Sequence, residues 1–181
     1  VVIGCIGIGN RAQYLLESLL QIKEAQVVAI CDVKTDCREK AQGMVNSCYE
    51  NKDCAAYIEH EKVVERDDID ACIVGSCDHW HVLHSLAATR AGKGVYCEKP
   101  LSPSMEQNQA LRAAVREHKT VFQFGTQQRS DEKFHRACEM VRNGHVGELK
   151  KINVWSPASV AGGPTEVVPV PANLDYERWL G

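Results

Sequence analysis

Short apolar, β-rich runs recur from the first residue to about position 125, and between them apolar residues return at helical spacing. The runs at 1–6, 26–31, 70–75, 94–97 and 121–124 predict strands, with a weaker one at 55–57. Between them, Leu15, Leu16, Leu19 and Leu20 mark one apolar helix face, and Val82, Leu83, Leu86 and Ala87 another. Phe134, Ala137, Cys138 and Val141 show the i, i+3, i+4, i+7 spacing of a third. Ser102 followed by Pro103 predicts a helix start, and Asn143-Gly144 a helix end. Strands alternating with helices are the signature of βαβ units and a parallel sheet.

Beyond position 147 this regularity stops. LKKINVWSP, 149–157, reads as a further strand, but 159–181 carries neither period, and four of the six prolines lie from Pro157 onward. So long an irregular stretch does not suit an internal loop. The expectation is a first domain over 1–125, a connecting helix over 126–147, and over 148–181 the beginning of an incomplete, truncated second α/β domain. A strand at 149–155 without its sheet would expose Ile152, Val154 and Trp155 and promote self-association into a homo-oligomer.

Composition removes several classes of function. With 44% hydrophobic and 25% charged residues the chain is of ordinary globular type. A formal charge of -3 offers no basic footprint, so no nucleic-acid partner is expected. No apolar run approaches the roughly 20 residues that span a bilayer, so no membrane partner is expected either. The nine cysteines are odd in number and never spaced CxxC, which suits buried thiols in a reducing compartment better than a zinc ribbon or a redox pair. The expected location is the cytoplasm, with export as the alternative should a signal segment precede Val1.

Three stretches carry candidate chemistry. IGCIGIGNRAQ, 3–13, reads as strand, glycine turn and helix, with Gly7, Gly9 and Ala12 at the three small-residue positions of a dinucleotide turn. The helix from Asn10 would point its free N–H groups at phosphates, although any tight turn can demand glycine. Some twenty residues on, VVAICD ends in Asp32, placed either to accept both hydroxyls of a ribose or to cap the following helix. A carboxylate there would repel a 2′-phosphate and favour NAD over NADP. A methyltransferase using S-adenosylmethionine can show the same two features.

The second stretch, GSCDHWHVLH (75–84), puts Ser76 and Asp78 at the edge of the sheet where such folds bind ligands. His79, His81 and His84 lack the HExxH spacing of zinc hydrolases, so no metal is expected; His81 is read as packing or hydrogen-bonding near the ligand and His79 as exposed. In the third, GVYCEKPLS (94–102), a strand ends in a carboxylate, an ammonium and a proline. Lys99 is the candidate catalytic group, able to hydrogen-bond a substrate hydroxyl and exchange its proton; the alternative is a surface ion pair with Glu98.

Together with FGTQQRS (124–130), these motifs in this order resemble the N-terminal half of the glucose-fructose oxidoreductase, inositol dehydrogenase and MocA family, over essentially the whole chain. The resemblance implies a doubly wound Rossmann domain binding NAD or, less favourably, NADP, and hydride transfer at a hydroxyl-bearing carbon of a sugar or polyol. By the same resemblance Gly7, Gly9, Asn10 and Arg11 lie at the pyrophosphate and Asp32 at the adenosine ribose. Ser76, Asp78 and His81 fall on the nicotinamide side, Glu98 near the nicotinamide ribose, Lys99 at the substrate hydroxyl, and Gln127 and Arg129 along the pocket. Two departures stand out. Cys77 replaces a usual proline, and the family's catalytic DxxxH pair belongs to its second domain. Asp131 and His135 have that spacing but read as first-turn helix residues. A non-catalytic dinucleotide-binding module, or an inactive truncated member, is therefore the alternative function.

Overall fold

The computed structural model describes residues 1–157, 162–163 and 166–181. Six strands, β1 (Val2–Ile6), β2 (Gln26–Cys31), β3 (Ala55–Tyr57), β4 (Ala71–Val74), β5 (Gly94–Glu98) and β6 (Phe122–Gly125), form one sheet in the order β3-β2-β1-β4-β5-β6. Every pairing is parallel. Each strand expected over 1–125 forms, displaced by one residue at most at either end. The order reverses between β1 and β4, so a crevice opens outside the C-terminal ends of these strands, the place where doubly wound sheets bind ligands.

Both faces of the sheet are covered, which is why its strands are apolar almost throughout. One core layer joins Ile3, Cys5, Val27 and Ile30 to Ala12 and Leu16 of α1 (Asn10–Leu19) and to Ala41 and Val45 of α2 (Thr35–Tyr49). The other joins Ile6, Ala29, Cys31, Cys72, Val74, Val95 and Cys97 to Val63 and Val64 of α3 (Glu61–Val64) and Ala88 of α4 (His81–Arg90). A register shift sorts β2 between the layers. Ile3 pairs with Val27 and Gly4 with Ala29, leaving Val28 as an extra residue. The bulge moves Ile30, and with it Asp32 two residues on, to the face that holds Ile8.

Helix details depart from the sequence pattern in two places. The buried face of α4 is His81, Val82, His84, Ser85, Ala88 and Thr89, while Leu83 is 45% exposed. The helix expected to be capped by Ser102 is α5 (Met105–His118), and its cap is Ser104, whose Oγ accepts from Gln107 N. Ser104-x-x-Gln107 is itself a capping-box spacing, and Ser102 instead accepts from Ser104 N at 2.8 Å.

The chain divides into two compact units, Val1–Gly125 with Val170–Gly181, and Thr126–Pro169. In the first, residues 173–175 run beside the end of β2. Thr35 N donates to Asn173 O at 2.8 Å and Asp175 N to Val33 O at 3.0 Å, and α7 (Tyr176–Leu180) follows, capped by the Asp175 side chain. The second unit contains the helix α6 (Glu132–Arg142), ended as expected at Asn143-Gly144. The strand expected at 149–155 does not form: 149–157 is irregular, with Val154 87% and Trp155 83% exposed. A strand needs a partner for its backbone groups, and none pairs with this segment among the described residues. Of the stretch 159–181, residues 159–161 and 164–165 lie outside the described residues.

Candidate functional site

The glycine turn after β1 is both a tight turn and an open cradle. Gly7 has φ +78, and a Cβ there would lie 2.3 Å from Ser76 Cα, so only glycine lets the two loops touch. Gly9 is the N-cap of α1 and borders open space; no side chain caps the helix, and its first turn carries no acidic residue. The leading amides of α1 are thus left without a capping acceptor, an arrangement that suits an anion. Ala12, at the third small position, packs against Gly75, where an added Cβ would come within 2.6 Å of its own. Asn10 and Arg11 open the helix on its exposed side.

Asp32 ties this turn to the second strand. Its Oδ2 accepts from the amide of buried Ile8 at 2.6 Å and its Oδ1 from Lys34 N at 2.8 Å, while Arg38 donates to its carbonyl at 2.6 Å. The helix-cap reading is therefore not what forms: the cap position of α2 is Lys34, without a side-chain cap bond. Each carboxylate oxygen retains acceptor capacity beyond these bonds, enough for a diol, and Asp32 lines the crevice.

The 76–84 loop supplies the opposite wall. His81, 2% exposed, places Nδ1 2.6 Å from Pro100 O and Nε2 2.9 Å from Ser76 O, so it locks the loop after β4 to the loop after β5. A neutral imidazole donates to only one of these carbonyls. His84 Nδ1 lies 3.0 Å from Ser76 Oγ, and its ring stacks on Trp80 at 5.0 Å and meets His60 at 4.4 Å. Burial, with smaller contributions from the His60, His81 and His79 charges, pushes His84 down to about 3. Asp78, itself exposed, starts a 3₁₀ turn, and His79, expected to be exposed, is half-buried with Nε2 2.9 Å from Trp179 O. The three histidines are thus each bonded within the protein, His81 and His84 both to Ser76 and His79 to Trp179.

At the end of β5, Glu98 is 3% exposed. Its Oε1 takes Arg11 Nε at 3.0 Å and the Tyr96 hydroxyl at 3.3 Å, and its Oε2 takes the backbone N of Lys99 at 3.2 Å. The partner of this carboxylate is Arg11, 87 positions away. The Lys99 side chain is exposed at the strand end, its ammonium in no ion pair with Glu98, contrary to the surface-pair alternative. Gln127 and Arg129 lie on a 3₁₀ turn, Gln127–Ser130, in the second unit. Asp131 is the N-cap of α6, accepting from Lys133 N and Phe134 N, one position ahead of the first turn expected for it.

Gly7, Gly9, Asp32 and Ser76 border one cavity of about 470 Å³, a volume usual for small-molecule sites. The sequence pattern did not point to other parts of its wall: His60, Trp80 and, from the chain end, Leu174, Arg178 and Trp179. No periodicity marks the last three, although a Trp in an otherwise irregular tail is a signal that such a segment docks on something.

Against this geometry, the family model described as "Oxidoreductase family, NAD-binding Rossmann fold" (GFO_IDH_MocA) matches residues 1–126. The chain belongs to this family. Myo-inositol 2-dehydrogenase of Thermotoga maritima is 28% identical over 99% of the chain and 49% of its own length. An uncharacterized oxidoreductase of Bacillus subtilis, YrbE, is 27% identical over 100% and 48%. Among solved structures, scyllo-inositol dehydrogenase of Lactobacillus casei with bound NAD(H) and scyllo-inositol superposes with a TM-score of 0.73, over 82% of this chain and 42% of that one, at 23% identity, a likeness of fold. The chain spans about half the length of the relatives it matches. The crevice residues of this Gfo/Idh/MocA chain fit a dinucleotide: an uncapped helix start, a glycine that clears the backbone, and a carboxylate with free lone pairs.

Proposed function

We propose that this chain is the dinucleotide-binding half of an NAD(P)-dependent oxidoreductase that moves hydride between nicotinamide and a hydroxyl-bearing carbon of a sugar or polyol. The observation that carries the reading is the Asp32 carboxylate, held by the Ile8 amide beside the uncapped start of α1. In that position it binds a ribose diol and disfavours a 2′-phosphate, so NAD is the cofactor. NAD, when bound, supplies the hydride acceptor. Gly7, Gly9, Asn10 and Arg11 hold the pyrophosphate through backbone amides. Ser76, Asp78 and His81 shape the nicotinamide side, and Glu98, oriented by Arg11, faces the neighbouring ribose. Lys99 hydrogen-bonds the substrate hydroxyl and holds or passes its proton. Gln127 and Arg129, which the resemblance adds to this set, share one turn of the second unit.

The inositol dehydrogenases among its relatives support a polyol as the substrate class. Five buried thiols support a reducing compartment, the cytoplasm, and exposed Ile152, Val154 and Trp155 support a homo-oligomer. The domain reading, in which 126–147 connects to a second domain begun by 148–181, draws on the half-length match to relatives, although Val170–Gly181 clusters with the first unit. The binding-module alternative draws on Asp131, which is engaged as the N-cap of α6. NADH formation from NAD with a panel of inositols and sugars separates the two readings. Turnover that falls by about 100-fold or more in Lys99→Ala supports the enzyme. Cofactor binding without turnover on any polyol supports the module.

A further inference from the structure

We infer that the chain end, Asn173–Trp179, is the outer wall of the adenine end of this site, with Trp179 packing on the base. The inference rests on the dinucleotide reading and adds to it a segment outside the glycine-turn motif. The segment bridges three strand ends. It meets the segment after β2 through Thr35 N, which donates to Asn173 O, and an isolated antiparallel bridge between Lys34 and Leu174. It meets the segment after β3 through Arg178 Nη2 and Glu59 Oε1 at 3.1 Å. It meets the loop after β4 through Trp179 O, which accepts from Trp80 Nε1 at 3.0 Å.

The placement of the base follows from chain geometry. The glycine turn receives the pyrophosphate and Asp32 the ribose, so the base continues away from α1 into the part of the cavity bounded by the end of β2, Trp80 and this segment. The wall there matches a flat ring with apolar faces: Leu174, Ile58 and the indoles of Trp80 and Trp179. Trp179 remains 37% exposed, leaving aromatic surface for a ligand to cover. Arg178 does not turn this wall into a phosphate site, because Glu59 and Asp175, at 3.1 and 3.5 Å, already balance its charge.

The test titrates NADH and AMP into the 181-residue chain and its Trp179→Ala and Trp179→Phe variants, with far-UV circular dichroism to check the fold. AMP carries only the base, ribose and one phosphate. The expected result is a loss of about tenfold for both ligands in Trp179→Ala and recovery to within about twofold in Trp179→Phe, since base-aromatic packing contributes on that order. Unchanged affinity in Trp179→Ala, a loss for NADH without one for AMP, or tighter binding, as a segment competing with the base would give, each overturns the inference. If Trp179→Ala does not fold, hydrogen exchange in the unaltered chain decides: AMP should slow exchange of amides 174–180, and no change there overturns the inference. Failure of the unaltered chain to bind NADH is a different outcome, which removes the dinucleotide reading itself.

Discussion

At the scale of single residues, the site is held by side chains that serve the backbone as much as a ligand. Asp32 pins the amide of Ile8, and His81 ties two loops together through their carbonyls. Gly7 is the most constrained of these positions. An alanine there meets both the cost of positive φ and the Ser76 backbone 2.3 Å away. Gly7→Ala should therefore destabilise the fold by about 3 kcal/mol or more in urea denaturation. His84 sets an acid limit. Its folded pKa lies near 3 against an ordinary 6.5, so the unfolded chain takes up a proton at pH values where the folded ring stays neutral. The corresponding stability is fully present above about pH 6.5 and is lost as pH falls toward 3. Between pH 7 and pH 5 the loss from this group is about 2 kcal/mol. His84→Asn should flatten that part of the stability curve, and an unchanged slope would show that the ring is not the group responsible.

At the scale of elements, the strands were legible because two covered faces make each one a dense apolar run, readable without knowing its neighbours. The glycine turn and Asp32 were legible for a similar reason: their chemistry is written in consecutive residues and a fixed offset. Contacts between distant positions were not. Nothing local pairs Arg11 with Glu98, or brings Trp179 over the crevice. The strand expected at 149–155 shows the converse error, since Ile152, Val154 and Trp155 have strand propensity but no partner to supply hydrogen bonds. Leu83 misled because α4 buries His81, His84 and Ser85 on the face where a hydrophobic count looks for leucine, the two histidines bonded to the loop after β4. The cap of α5 gives a direct check. Ser104→Ala should cost about 1 kcal/mol, measured by chemical denaturation. A larger loss in Ser102→Ala would return the cap to the residue that the Ser-Pro pattern indicates.

At the scale of the whole molecule, the chain comprises a Rossmann unit with two filled core layers and a second unit whose helix α6 buries none of its residues. Apolar side chains along 149–155, Trp155 foremost, remain exposed. Such a patch favours association. Sedimentation velocity should show self-association that grows with concentration and declines in a Trp155→Lys variant, and a monomer at all concentrations would contradict this. The central claim concerns the crevice at the sheet reversal, and calorimetric titration of NADH into the chain tests it most directly. One site per chain is expected, weakened at least about tenfold by Asp32→Ala while the fold is retained. A folded chain that takes up no NADH would contradict the account.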